Sequence, residues 1–173
     1  MNTKGAVLGS FVFFCVAPAT VAGVIPWALT RWRTQPPLLG ASALSWLGCA
    51  LIGTGATVVL ESFVRFAVKG LGTPAPVAPT QFLVVSGLYR YVRNPMYIGV
   101  LSAIVGQALL LGSTLLLEYA AFTWACFFAF VVLYEERSLQ RRFGAGYESY
   151  RASVPRWWPR ITPWQPPAGG RAS

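Results

Sequence analysis

The sequence predicts an all-α, polytopic membrane protein of about four transmembrane helices, with a cytoplasmic helical extension and an interfacial C-terminal segment. Three observations lead there. The chain is 55% hydrophobic and only 11% charged, against about a quarter charged in soluble proteins. It contains several uncharged apolar runs near the roughly 20 residues that cross a hydrocarbon core. Its basic residues gather around the ends of those runs, as membrane orientation requires. With 173 residues, one membrane domain covering 1–173 is expected.

The first run, Gly5 to Leu29, follows Lys4 and contains Pro18 and Pro26. It reads as a kinked spanning helix over about 5–29 or as a cleaved signal peptide. The retained helix is preferred, because the apolar stretch exceeds the usual 7–15-residue signal core. Pro36 and Pro37 mark a turn, and the second helix is expected over about 38–69. Its small residues Cys49 and Gly53, four apart, suit close helix contact. Beyond Leu60, charges at Glu61, Arg65 and Lys69 recur every fourth residue opposite Phe63, Val64, Phe66 and Ala67, which makes an amphipathic headgroup-layer segment.

A polar loop follows, opened by Pro74, Pro76 and Pro79. The third helix starts at Pro95, a favoured first helical residue behind an Asn94 N-cap, and runs to Leu111. Gly112-Ser113 turns the chain into a fourth helix from Thr114. The pairs Gly99/Ala103 and Ser102/Gly106 are expected to let this hairpin pack closely. Two carboxylates at Glu135-Glu136 oppose a helix C-terminus, whereas Arg141, Arg142 and Gly144 suit one, so the helix is expected over 114–143. At ~1.5 Å per residue it is roughly 15 Å longer than the hydrocarbon core. Tyr147, Tyr150, Trp157 and Trp158 then suit the membrane interface.

In this topology twelve of the 14 basic residues lie on one side and only Arg31 and Arg33 on the other. Both termini and the 61–94 loop are therefore expected in the cytoplasm. The same asymmetry explains the net charge of +9 without a nucleic-acid partner, for which no sequence signature exists. The chain has no His and all five of its acidic residues are Glu, which removes Ser-His-Asp triads and histidine metal sites. Cys15, Cys49 and Cys126 stand singly in apolar runs, with no ligand spacing for zinc, and read as buried structural thiols; no metal is expected.

An antiparallel hairpin returns the chain to the side it left, so Arg90, Arg93, Asn94 and Tyr97 should meet Glu135 and Glu136. Neighbouring helical residues point about 100° apart, so one glutamate faces inward. Glu135 shares its face with Leu139 and Phe143, Glu136 with Gln140, and Glu135 is the expected inward carboxylate. The bland reading is an interfacial ion pair. The functional one is a binding site at the bundle rim, with tyrosines offering flat faces to a cationic or aromatic ligand.

Four blocks then carry a resemblance: Leu83 to Tyr89, Arg93-Asn94-Pro95-Met96-Tyr97-Ile98-Gly99, Glu135-Glu136-Arg137-Ser138-Leu139, and Phe143-Gly144 with Tyr147, Tyr150 and Val154-Pro155. In this order they resemble the isoprenylcysteine carboxyl methyltransferase and phospholipid methyltransferase superfamily, membrane enzymes that use S-adenosylmethionine. The resemblance implies a cofactor region of about 73–160, with a pocket drawn from Gln81, Phe82, Leu83, Val84, Tyr89, Asn94, Pro95, Met96, Tyr97 and Glu135. It implies chemistry at Glu135, Asn94 and Arg93, and a lipophilic small-molecule or lipidated acceptor reached from the bilayer. Two positions depart from the pattern. Asn94 stands where many relatives carry histidine, and Val131 where the isoprenylcysteine enzymes carry an arginine, which counts against a prenylcysteine carboxylate as acceptor. An NADPH-dependent membrane sterol or lipid reductase, and a non-enzymatic scaffold or transporter, are the competing readings.

Overall fold

A computed structural model describes residues 16–69 and 83–165, with the side chains of 66–69 left out. The expected helical residues 5–15, Cys15 and the stretch from Gly70 through Phe82 lie outside the described residues. The chain is an all-α membrane protein, with no strand among the described residues. Among the described residues four apolar helices occur in order: α1 (Val16–Thr30), α2 (Ala43–Lys69), α3 (Pro95–Leu111) and α4 (Thr114–Ser153). Of these, α2 and α4 are long and apolar enough to cross a membrane, and α1 and α3 are shorter. Only 11% of the apolar window of α2 is buried, which suits a hydrocarbon solvent and not water.

The chain divides into two compact units, which share helices. Among the described residues, one comprises 16–59 with Met96–Phe128, the other 60–69 and 83–95 with 129–165. In the first unit Val100, Ile104 and Ala120 form a core flanked by Val21, Val59, Tyr119 and Phe127. The N-terminal helix winds as a π turn over Thr20–Val24, where Ile25 N–H bonds Thr20 O. Pro26 lacks the N–H that would reach Ala22 O in an α-helix or Val21 O in a π turn. Both carbonyls are satisfied from other helices: Gln107 Nε2 donates to Ala22 O at 2.7 Å, and the Tyr119 hydroxyl to Val21 O at 2.9 Å. Two polar side chains in an apolar bundle thus repair one proline.

Small residues bring α2 and α3 together, though not the pairs the sequence suggests. A Cβ on Gly55 would lie 2.5 Å from Gly99 O, and one on Gly48 would lie 2.6 Å from Gly106 O. Both pairs repeat after seven residues, two helical turns, so the antiparallel helices touch backbone to backbone twice. Gly53 has nothing within 4 Å and Cys49 is exposed, which corrects the expected Cys49/Gly53 contact. The face that meets α3 carries Gly48, Ile52, Gly55 and Val59, and Cys49 and Gly53 are rotated off it. Likewise Gly99 and Gly106 serve the α2 contact. Cys126 is exposed as well, so neither described cysteine is a buried thiol; each is a small apolar residue on an outer helix surface.

Two boundaries also move. Leu38–Gly40 is a short 3-10 turn in which Leu39 and Gly40 take φ of 56° and 67°; these left-handed residues keep it from joining the helix, and α2 begins at Ala43. Gly144, with φ 50° and ψ −127°, interrupts the last helix after Phe143, and a further helical stretch continues to Ser153. Ser113 caps the start of α4 by accepting from Leu116 N–H.

Candidate functional site

The second unit gathers the charged residues that the sequence singles out. Its loop from Leu83 turns at a 3-10 segment, Gly87–Arg90, and enters α3 at Pro95. Gly87 has φ 57°, and a Cβ there would run into Glu61, whose carboxylate pairs with Arg65 at 2.8 Å one turn further along α2. Only glycine satisfies both demands. Tyr89 follows, 7% exposed. Burial pushes its phenol well above the usual range, partly offset by the Ser62 hydroxyl and reinforced by the charges of Glu135 and Glu61. The Tyr89 hydroxyl therefore stays protonated at neutral pH.

A C-terminal strap holds this loop through its backbone. Arg93 N–H donates to Pro155 O, Arg160 N–H to Tyr91 O and Trp164 N–H to Arg90 O, at 2.9, 3.0 and 2.9 Å. Side chains add to the clamp: Tyr150 OH donates to Tyr89 O at 2.7 Å, Asn94 Nδ2 to Arg156 O at 3.1 Å, and Arg90 Nε to Trp164 O at 2.8 Å. Beneath it Tyr147, Tyr150 and Val154 form a small apolar core with Leu83, Val85, Leu139, Phe143 and Trp164. Loop and strap are distant in sequence, and beyond the 3-10 segment of the loop each relies on the other to satisfy its amides.

At the centre lies Glu136, 6% exposed. Arg93 Nη1 donates to its Oε1 at 2.8 Å, and Arg156 forks onto both oxygens, Nε to Oε1 at 2.7 Å and Nη2 to Oε2 at 2.8 Å. Arg93 Nη1 also reaches the Tyr147 hydroxyl at 3.2 Å. The Glu136 hydrogen bond raises the pKa of the Arg156 guanidinium further above its already high value. Two guanidinium groups on one carboxylate compensate for taking the charges out of water, and losing one partner would leave an uncompensated charge.

The structure corrects the expectation that Glu135 faces inward. Residues Val131–Glu135 wind as a π turn, closed by Glu136 N–H on Val131 O. The turn advances the register by one residue, so the face of Val131, 1% exposed, continues to Glu136 instead of Glu135. Glu135 is left half-buried, close enough to Tyr89, Tyr147 and Tyr150 for its charge to be felt by each phenol.

Among the other expected site residues, Gln81 and Phe82 lie outside the described residues. Leu83 is half-buried on the tyrosine core, and Val84, Asn94 and Pro95 are buried. Arg93 meets a glutamate as expected, whereas Arg90 and Asn94 are turned to the strap. Met96 and Tyr97 belong to the other unit, both half-buried, with the Tyr97 ring 4.7 Å from Phe127. Arg156 was not singled out by its sequence; the one signal was its place after Val154-Pro155. Arg93 Nε and Ser86 Oγ are buried with no hydrogen-bond partner among the described residues, an unused donor and an unused hydroxyl beside the same loop.

Comparison with known proteins covers this region. A model of the phospholipid methyltransferase family matches residues 43–146, more than half the chain. The protein-S-isoprenylcysteine O-methyltransferase of Schizosaccharomyces pombe is 42% identical over 82 residues, which are 46% of this chain and 34% of that protein. The match thus spans about a third of the length of that relative. No solved structure matches the chain. From the loop, the α3 start and the glutamate doublet to the family match that contains them, the chain belongs to the phospholipid methyltransferase family.

Proposed function

We propose that the chain transfers a methyl group from S-adenosylmethionine to a lipophilic acceptor at the cytoplasmic face of the membrane. The observation that carries this reading is the family match over 43–146, which encloses both the 83–97 segment and Glu135-Glu136. The matched relative, itself an O-methyltransferase, supports the same reaction class.

The donor set suits this cofactor. Arg93 Nε offers an unused donor for its carboxylate, and Ser86 Oγ an unused hydroxyl. In this reading Glu135 engages the ammonium or ribose hydroxyls, and the family resemblance adds Tyr97 as an aromatic face for adenine or sulfonium. The family resemblance assigns Gln81, Phe82, Leu83, Val84, Pro95 and Met96 to the same cofactor. Tyr89, held neutral by burial, acts as a hydrogen-bond donor and not as a base. Asn94, with its amide N–H on Arg156 O, keeps a carbonyl oxygen for the substrate side. Glu136 anchors Arg93 and Arg156, so that the Arg93 guanidinium reaches the site in one orientation.

S-adenosylmethionine supplies a methyl on a good leaving group, so the protein contributes chiefly by aligning the acceptor with it. The test is binding of S-adenosylmethionine, with NADPH in parallel, to the full chain in lipid nanodiscs. Wild type should bind S-adenosylmethionine saturably, and Glu135→Ala and Tyr97→Ala should each weaken that binding about tenfold or more while remaining folded. NADPH binding in its place would move the protein to the reductases, and binding of neither would leave a scaffold.

A further inference from the structure

A second feature of the same unit borders that chemistry and shares Glu136 and Arg156 with it. A cavity of about 370 Å³ opens beside α4, lined by Val132, Glu136, Gln140 and four arginines, Arg137, Arg141, Arg151 and Arg156. Its size is that of a small-ligand site. The Glu136 charge is already matched by Arg93 and Arg156. Arg137, Arg141 and Arg151 form no ion pair or hydrogen bond among the described residues. Two carboxylates border the cavity, Glu136, which also feels the charge of Arg151, and Glu148, which accepts from Gln140 at 2.6 Å, so four arginines face two acids and the lining stays net positive. Such a concentration of charge favours an anionic ligand, and guanidinium forks match phosphate oxygens in particular.

The surroundings decide where the phosphate comes from. Val132 forms part of the wall, and the adjoining residues Leu133 and Tyr134 are 59% and 48% exposed. On the strap beyond Arg156, Trp158 and Ile161 are 82% and 97% exposed. Apolar and indole side chains held outward next to arginines are what a membrane interface selects. Gln140 adds a buried Oε1 with no hydrogen-bond partner among the described residues, an acceptor for a hydroxyl carried beside the phosphate. We propose that this cavity binds the phosphate of an anionic membrane lipid, with the headgroup among Arg137, Arg141, Arg151 and Arg156 and the acyl chains along the apolar turn at Val132–Tyr134. The assignment does not depend on the proposed reaction.

The test uses the full-length chain, delipidated in detergent and titrated with phosphatidylglycerol or phosphatidylcholine while bound lipid is counted by native mass spectrometry. Phosphatidylglycerol should bind about tenfold more tightly than phosphatidylcholine. The triple variant Arg137→Gln/Arg141→Gln/Arg151→Gln should lose that preference with its helical circular dichroism unchanged, since none of the three forms a hydrogen bond or ion pair among the described residues. Arg31→Gln/Arg33→Gln, which removes charge elsewhere, should keep it. Inorganic phosphate at millimolar concentration should not displace the lipid. Equal binding of the two lipids, an unchanged preference in the triple variant, or displacement by phosphate alone would each overturn the assignment, the last by making this a soluble-anion site. If the triple variant loses helicity, Arg141→Gln alone replaces it and must reduce the preference.

Discussion

The α2–α3 contact gives a paired experiment in which one helix supplies its own control. Gly55→Ala would place a Cβ 2.5 Å from Gly99 O and 2.9 Å from Ala103 N. Ordinary contact begins near 3.4 Å, so the helices must separate by about 0.9 Å there. Both obstructing atoms are backbone and cannot rotate away. Overpacking of this kind costs about 1–3 kcal/mol, offset by the roughly 1 kcal/mol that alanine gains over glycine within a helix. Gly53→Ala takes the same propensity gain with nothing within 4 Å. The difference between the variants therefore isolates the packing cost. At about 3 °C per kcal/mol for a chain of this size, Gly55→Ala should melt roughly 3–9 °C below Gly53→Ala. Thermal unfolding in detergent, followed by circular dichroism, measures it. Equal melting temperatures would refute the backbone contact.

Two further predictions concern the loop and strap. Glu136→Gln removes the charge shared by Arg93 and Arg156 and should cost about 3 kcal/mol in denaturant unfolding, whereas Glu135→Gln should cost under about 1 kcal/mol; the reverse order would return the anchoring role to Glu135. Tyr150→Phe leaves the buried Tyr89 carbonyl without its donor and should cost about 1–3 kcal/mol, with faster amide exchange at Arg160 and Trp164 as the strap loosens.

Hydropathy and charge placement were enough to indicate an all-α membrane protein, because both properties are averages over many residues. The hairpin turn at Gly112-Ser113 and the α3 start at Pro95 were legible for a local reason, since a tight turn and an N-cap each depend on adjacent residues. The Arg93 to glutamate contact was legible as topology. Which glutamate receives it was not, because helical phase was counted at 3.6 residues per turn through a π turn that nothing in Val131-Val132-Leu133-Tyr134-Glu135 announces. The choice of Gly48 and Gly55 over Cys49 and Gly53 was hidden for a related reason. Both sets have helical spacing, and only the packed partner distinguishes one face from its neighbour. The strap is a network of backbone amides between segments about 60–70 residues apart, and side-chain patterns carry no record of such pairings.

The π turn also makes sense of two consecutive acids. It holds one residue of slack in the middle of a long helix, and drawing that slack out would turn everything beyond it by about 100°. In the wound-in state Glu136 stands on the face shared with Val131; with the slack drawn out, Glu135 would stand there. A single glutamate at this place would lose its arginines with any slip of the helix, whereas the doublet presents a carboxylate in either phase.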